Sequence, residues 1–239
     1  MSGHSHAKTV MATKTANDAK KGKIYSKYGR LITIAAKDGG DPEKNSKLKA
    51  VIEQAKGANM PKENIERAIK KGTGELAGES LEEVSYEGFG PAGIALVITG
   101  ITDNTNRTLG EVRSILNQNG GKMAGEGAVR WMFENKGVIN VSPDEKTPKD
   151  ELELLAIELG AEDVSSYEDT LDIYTKPEDL ETVKKALVDK QIKINSSSID
   201  FIAKEEVVVT EREKEQAQRL FDALDENDAV NNIYSNIKN

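Results

Sequence analysis

Cysteine is absent from this 239-residue chain. That excludes disulfides, thiol nucleophiles and thiolate-held zinc or iron–sulfur centres, and it points to a reducing, cytoplasmic compartment. Histidine is nearly absent: His4 and His6 are the only two, both at the start. The body of the chain therefore has no imidazole for general-base work. With Met1 removed, the opening Ser-Gly-His could chelate copper(II) or nickel(II), but no function is assigned to that chelate and no cofactor is expected. No apolar run approaches the ~20 residues of a membrane helix, and "MSGHSHAKTV" lacks the apolar stretch of a secretory signal. Neither a P-loop nor a nucleophile elbow occurs. The acid pairs Glu82/Glu83 and Glu205/Glu206 are adjacent on strand-like segments, so their side chains point to opposite faces and form no catalytic dyad. The expectation is a protein that is not an enzyme.

What the chain has is charge, unevenly placed. Residues 1–75 hold 16 Lys or Arg against 8 Asp or Glu, a net of +8, while the remaining 164 residues hold 17 against 33, a net of −16. Such a split points to a basic module that meets a polyanion, with an acidic remainder that limits unselective sticking. The plain alternative is a solvated, Lys-rich helical surface.

Residues 17–71 read as helices. At 100° per residue, Ile24, Tyr28, Leu31, Ile32 and Ala35 share one arc, and Lys20, Lys23, Lys27, Arg30 and Lys37 share the neighbouring one. Ile34 intrudes into the cationic stripe, and Gly22 is a point where this helix could break. A second helix carries Leu48, Val51, Ile52 and Ala55. A third starts at Pro61 and buries Ile65, Ala68 and Ile69. Lys70 and Lys71 fall in its last turn, where they either complement the helix dipole or hold a ligand. "KGTGELAGES" is a Gly-rich linker where the charge balance changes.

The rest reads as α+β. Strands are expected at 82–88 and 93–101, a helix at 106–119, and a strand at 128–134. Residues 137–205 then spell β-α-β-β-α-β, a ferredoxin-like unit. A last helix and strand have no sheet of their own, and the economical solution returns them to the earlier one. The predicted fold class is therefore a helical N-terminal domain followed by two α+β domains, one inserted in the other. The boundaries are 1–77 for the basic helical domain, 78–135 plus 206–239 for the discontinuous α+β domain, and 136–205 for the insert.

Three motifs need weighing. "GFGPAG", Gly88 to Gly93, matches G-x-G-x-x-G in form, but a strand follows it rather than a helix, so it reads as a hairpin connection. "TDNTNRT", Thr102 to Thr108, is foremost a helix cap; its functional reading puts Arg107 beside exposed helix amides, in reach of phosphate. Strand alternation puts Val129, Trp131 and Phe133 on one face, which makes Trp131 a core residue rather than a stacking platform.

The segments "GHS" at 3–5, "DAKKGKIYSK" at 18–27, "AAKDGGDPEKN" at 35–45, "AKGANMPKENIERAIKKGTGE" at 55–75, "YEGFGPAGIALVI" at 86–98, "TDNTNRT" and "GGKMAGEGAVRWMFENKG" resemble, in order, the YebC/PmpR family. The likeness continues more loosely to the end of the chain. It implies three domains, a helical one and two α+β ones, and no catalytic residues. The family is usually described as probable transcriptional regulators that bind DNA. Some members, a mitochondrial translational activator among them, look like ribosome-associated factors that help translation through sequences such as proline runs. The stretch "HAKTVMATKTAN" departs from the family pattern, which is richer in Lys, Arg, His and an early Trp. That shifts the expected contact from the N-terminal tail to the helical stripe.

The leading expectation is a DNA-binding regulator that grips phosphate through Lys20, Lys21, Lys23, Lys27, Arg30, Lys70, Lys71 and Arg107. About four contacts on duplex DNA would give a log K against log salt slope of about −3.6. The alternative is a translation factor that holds ribosomal RNA by backbone and shape. A third reading is a protein-interaction scaffold or an enzyme of unrecognised type. No membrane partner is expected, and the oligomeric state is left open. No helix-turn-helix with a polar reading face is evident.

Overall fold

A computed structural model describes residues 18–78, 80–144, 147–167 and 169–238, the side chains of 18–20 and 167 excepted. Helix α1 (Asp18–Ala35) runs unbroken through Gly22 and ends in a 3₁₀ turn at Ala36–Asp38. Helix α2 (Ser46–Gly57) starts under Asn45, whose side chain accepts a hydrogen bond from the Leu48 amide. Helix α3 (Lys62–Gly72) follows Pro61. Ile32, Ala35 and Ala36 of the first segment meet Leu48, Ile52, Ala55, Met60, Ile65 and Ala68 in one core, with Tyr25, Tyr28 and Ile69 packed at its edge. This is the apolar arc expected from helical periodicity.

α1 buries a second face. Ile34 joins Leu81 and Ile101 in a small separate cluster, flanked by Leu31. These partners belong to the first sheet and its approach. Strand β1 (Glu82–Phe89) pairs antiparallel with β2 (Ala95–Thr102), Phe89 opposite Ala95. The connection between them is a tight hairpin in which Ala92 takes φ 57° and Gly93 φ 75°. Helix α4 (Thr105–Gln118) buries Val112 and Leu116, and the short β3 (Lys122–Met123) adds to β1.

The ferredoxin-like pattern is present downstream: β4 (Phe133–Val141), α5 (Lys149–Glu158), β5 (Asp163–Tyr167), β6 (Thr170–Thr175), α6 (Leu180–Asp189) and β7 (Ile194–Ala203). The sheet order is β5-β6-β4-β7, and its pairs are antiparallel. Helix α7 (Glu211–Asp225) and strand β8 (Val230–Ser235) come last, and β8 lies beside β2 in the order β3-β1-β2-β8. The chain is thus α+β. Its contacts gather into two compact units. Among the described residues, one is Arg130–Val208 with the C-terminal residues from Ser235; the other is 18–129 with Val209–Tyr234. The helical region and the first sheet share the second unit.

The strand expected at 128–134 is corrected. Arg130–Met132 form a 3₁₀ turn, β4 begins at Phe133, and Trp131 is 67% exposed rather than core. The cause lies upstream. The buried Glu87 carboxylate accepts from the amides of Gly127 and Val129, each at 2.7 Å. A side chain therefore takes the bonds that a strand ladder would have used. Gly137, read as a strand start, sits inside β4, and a Cβ there would come within 2.9 Å of Leu180. It is glycine because the Thr175 hydroxyl of β6 and the start of α6 both pack onto it.

Candidate nucleic-acid interface

The cationic stripe of α1 forms, but it faces the protein. Lys27 is 3% exposed. Its ammonium lies 2.8 Å from both Asp225 Oδ1 and the Asp225 carbonyl oxygen. Lys23 pairs with the Glu226 carboxylate. Arg30 Nη1 donates to the carbonyls of Asp228 (2.8 Å) and Ile101 (3.3 Å). Lys37 Nζ donates to the Leu81 carbonyl at 2.6 Å. The stripe thus grips the C-terminal end of α7 and the turn that follows. A helix C-terminus offers unpaired carbonyls and the negative end of the macrodipole, and Asp225, Glu226 and Asp228 add carboxylates. The hydrogen bond that Lys23 donates to Glu226, and then the charges of Glu226, Asp228 and Asp225, raise the Lys23 pKa above its ordinary 10.5. An acidic turn does here what the sequence had left for phosphate to do. The expectation that Lys27 lies open to phosphate is corrected, because it is enclosed in this docking contact.

The other expected residues divide. The Lys20 side chain lies outside the described residues. Lys21 is exposed. Arg107 sits between Asp103 (2.5 Å) and Glu111 (3.7 Å) on α4. Asp103 is held below the usual carboxylate range, first by its backbone amide and then by Arg107, with a contribution from Arg30. Asn104 caps α4 by accepting from the Arg107 amide. The capping reading of "TDNTNRT" describes this segment. Lys70 and Lys71 are exposed at the end of α3.

Lys71 belongs to a feature that periodicity on α1 did not reveal. A groove of about 400 Å³ runs between α1 and α3. Tyr25, Ser26, Gly29 and Arg30 line it from α1, and Met60, Asn64, Arg67 and Lys71 from α3 and its approach, with Gly78 and Leu81 at one end. Among the described residues, no carboxylate lines it. Asn64, Arg67 and Lys71 recur at i, i+3 and i+7, so they share a helix face. Arg67 was overlooked in the sequence, and that spacing back from Lys71 was the signal. The helices meet closely at one end because Gly72 lies against α1: a Cβ there would be 2.6 Å from the Ala36 Cβ. The Thr33 hydroxyl donates to the Gly29 carbonyl (2.8 Å) and lies 3.2 Å from that of Ala68 on α3. Tyr25 donates its hydroxyl to the Asn59 carbonyl at 2.7 Å, which fixes the ring at the rim. Gly78 runs along the Lys71 stem, 3.5 Å from its Cβ and Cγ to an ideal Cβ.

Among the described residues, no group of three or more His, Asp or Glu could hold a metal ion, and no helix is long and apolar enough to cross a membrane.

Comparison with known proteins covers both parts of the chain. Residues 5–75 match the family described as TACO1/YebC protein N-terminal domain, and residues 81–237 match the TACO1/YebC second and third domain. A probable transcriptional regulatory protein of Thermoanaerobacter pseudethanolicus is 44% identical over 239 residues, covering 100% of this chain and 97% of that one. One from Pelotomaculum thermopropionicum is 48% identical over 238 residues, covering 99% and 98%. The crystal structure of a conserved hypothetical protein from Aquifex aeolicus superposes with a TM-score of 0.86 at 43% identity, over 95% of this chain and 93% of that one. With both halves matched and relatives alike from end to end, the chain belongs to the TACO1/YebC family.

Proposed function

We propose that this protein is a non-enzymatic, nucleic-acid-binding regulator of gene expression that works in the cytoplasm and grips phosphate in the groove between α1 and α3. One observation carries the reading. Among the described residues, the groove presents Arg67 and Lys71 with no carboxylate in its lining, and neither of the two makes an ion pair. Lys70 and Lys21, exposed on α3 and α1, would add secondary contacts. Uncompensated cations in a concavity favour a polyanion, because the low-dielectric walls focus their field. The relatives named as transcriptional regulators favour DNA as the polyanion. A ribosome-associated role is the second reading, favoured by the setting of the cations along a furrow between two helices rather than on a helix with a polar base-reading face.

The test is the salt dependence of binding. With two contacts, log K should fall against log salt with a slope of about −1.8 on duplex DNA, or about −1.4 on a single strand. Reversing Arg67 and Lys71 to Glu should remove most of it. Affinity that ignores salt, or survives both reversals, rejects the groove. Co-sedimentation with ribosomes at low salt, lost in the same double variant, selects the second reading.

A further inference from the structure

We infer that the groove between α1 and α3 takes one unpaired nucleotide of a single strand, its phosphate held by Arg67 and Lys71 and its base laid against Tyr25. The inference rests on the phosphate-binding reading and specifies the ligand.

Size is the first argument. At about 400 Å³, the groove falls toward the small end of the range for small-ligand sites, about 300–1,000 Å³. Helices in contact lie about 8–10 Å apart, so the furrow between them is narrower than a duplex. Duplex DNA is read by an element that protrudes into a major groove about 12 Å wide. Here the cations line a furrow between two helices, which is a different shape from a protruding reading element.

The second argument is the mixture of chemistries. A phosphate alone needs cations and amides. This lining adds an aromatic ring, the apolar Met60 and the neutral hydrogen-bonding side chains of Ser26 and Asn64. Unpaired bases are recognised by stacking on aromatic rings and by hydrogen bonds along their edges. The hydrogen bond from Tyr25 to Asn59 holds the ring in place before any ligand arrives. The α1 wall on either side of the ring is bare: at Gly22 an added Cβ would meet nothing within 4 Å, and at Gly29 only the Met60 methyl at 4.0 Å. A flat ring can therefore approach the α1 backbone.

The third argument comes from the cations that are elsewhere. Duplex DNA presents one charge per 1.7 Å or so of axis, and a row of cations is its natural complement. The row on α1 exists, but Lys23 and Lys27 are engaged with Glu226 and Asp225. Among the described residues, Arg67 and Lys71 of the groove form a cluster sized for one or two phosphates.

The experiment uses the full chain and fluorescence anisotropy with three probes of one sequence: an unstructured RNA 12-mer, the matching single-stranded DNA and the duplex DNA. The expected result is single-strand binding at least tenfold tighter than duplex. Tyr25→Leu should weaken single-strand binding by about 5- to 100-fold and leave duplex binding unchanged, whereas Tyr25→Phe keeps most of the affinity. RNA tighter than DNA supports the inference with the 2′-hydroxyl as an added contact; equal affinity supports it with phosphate and base alone. Duplex binding as tight as single-strand binding, or single-strand binding indifferent to Tyr25→Leu, overturns it. If Arg67→Glu still weakens binding in that case, the phosphate reading stands without it. Wild-type protein that binds none of the probes rejects both. Should Tyr25→Leu fail to fold, photocrosslinking of a 4-thiouridine 12-mer to the wild type decides: the adduct must fall in 22–30 or 60–71, and an adduct only elsewhere overturns the inference.

Discussion

Lys27 shows how much one side chain can change a functional reading. Its ammonium is enclosed, and the Asp225 side chain opposite is only 20% exposed. Removing one member of such a pair leaves the other as a desolvated, unpaired charge. Lys27→Ala should therefore cost about 3 kcal/mol, and Asp225→Ala about as much, while Lys27→Met with Asp225→Leu together should recover most of the loss. Urea denaturation of the three variants checks this, and additive losses would show that the pair is not coupled. The burial was legible in the sequence through Ile34. One apolar residue inside a cationic stripe marks a second buried face, because an isoleucine at the centre of a solvated surface has no reason to be there. Trp131 was less legible. The alternation of Val129, Trp131 and Phe133 is that of a strand, and only a contact from Glu87, some forty residues away in sequence, ends the pattern.

At the scale of elements, α7 matters at both ends. Its C-terminus receives α1, and its N-terminus is closed by a capping box: the Thr210 amide and hydroxyl reach Glu213 Oε2 at 2.7 and 2.8 Å. These bonds, the backbone one first, hold the Glu213 carboxyl below its ordinary 4.5. A carboxyl whose pKa is lowered by folding adds stability above its unfolded value and loses it as the pH falls through the folded one. Thr210→Ala should cost about 1 kcal/mol at neutral pH. Glu213→Gln should lower stability at pH 7 and have little effect once the pH is well below 4.5. Thermal melts at the two pH values would show the difference vanish, and a difference that persists in acid would reject the role of the charge. Most elements were readable from periodicity and caps, because Asn45, Pro61, Asn104 and Thr210 mark helix starts by local chemistry. The groove was not readable, because it exists only where α1 and α3 face each other. Neither helix's own pattern states which residues of the other it will meet.

For the whole molecule, the split between a basic start and an acidic remainder is partly consumed internally. The acidic turn at 225–228 holds cations that a phosphate backbone would otherwise compete for. Neutralising it with Asp225→Asn and Glu226→Gln should loosen the docking and free Lys23 and Lys27. Binding to a polyanion should then strengthen, and the salt slope should steepen by up to about 1.8 on duplex DNA; an unchanged slope would mean that the docking does not compete. Lys27 carries one more consequence. An amine sealed by its partner cannot react with an acylating reagent until the two surfaces part. The rate at which acetic anhydride modifies Lys27, set against that at the exposed Lys70 of the same chain, reads out the fraction of time the contact stands open. The enclosed lysine is thus a chemical clock for a motion that no static picture displays, and nucleic acid should make it run faster if it pulls the docked surfaces apart.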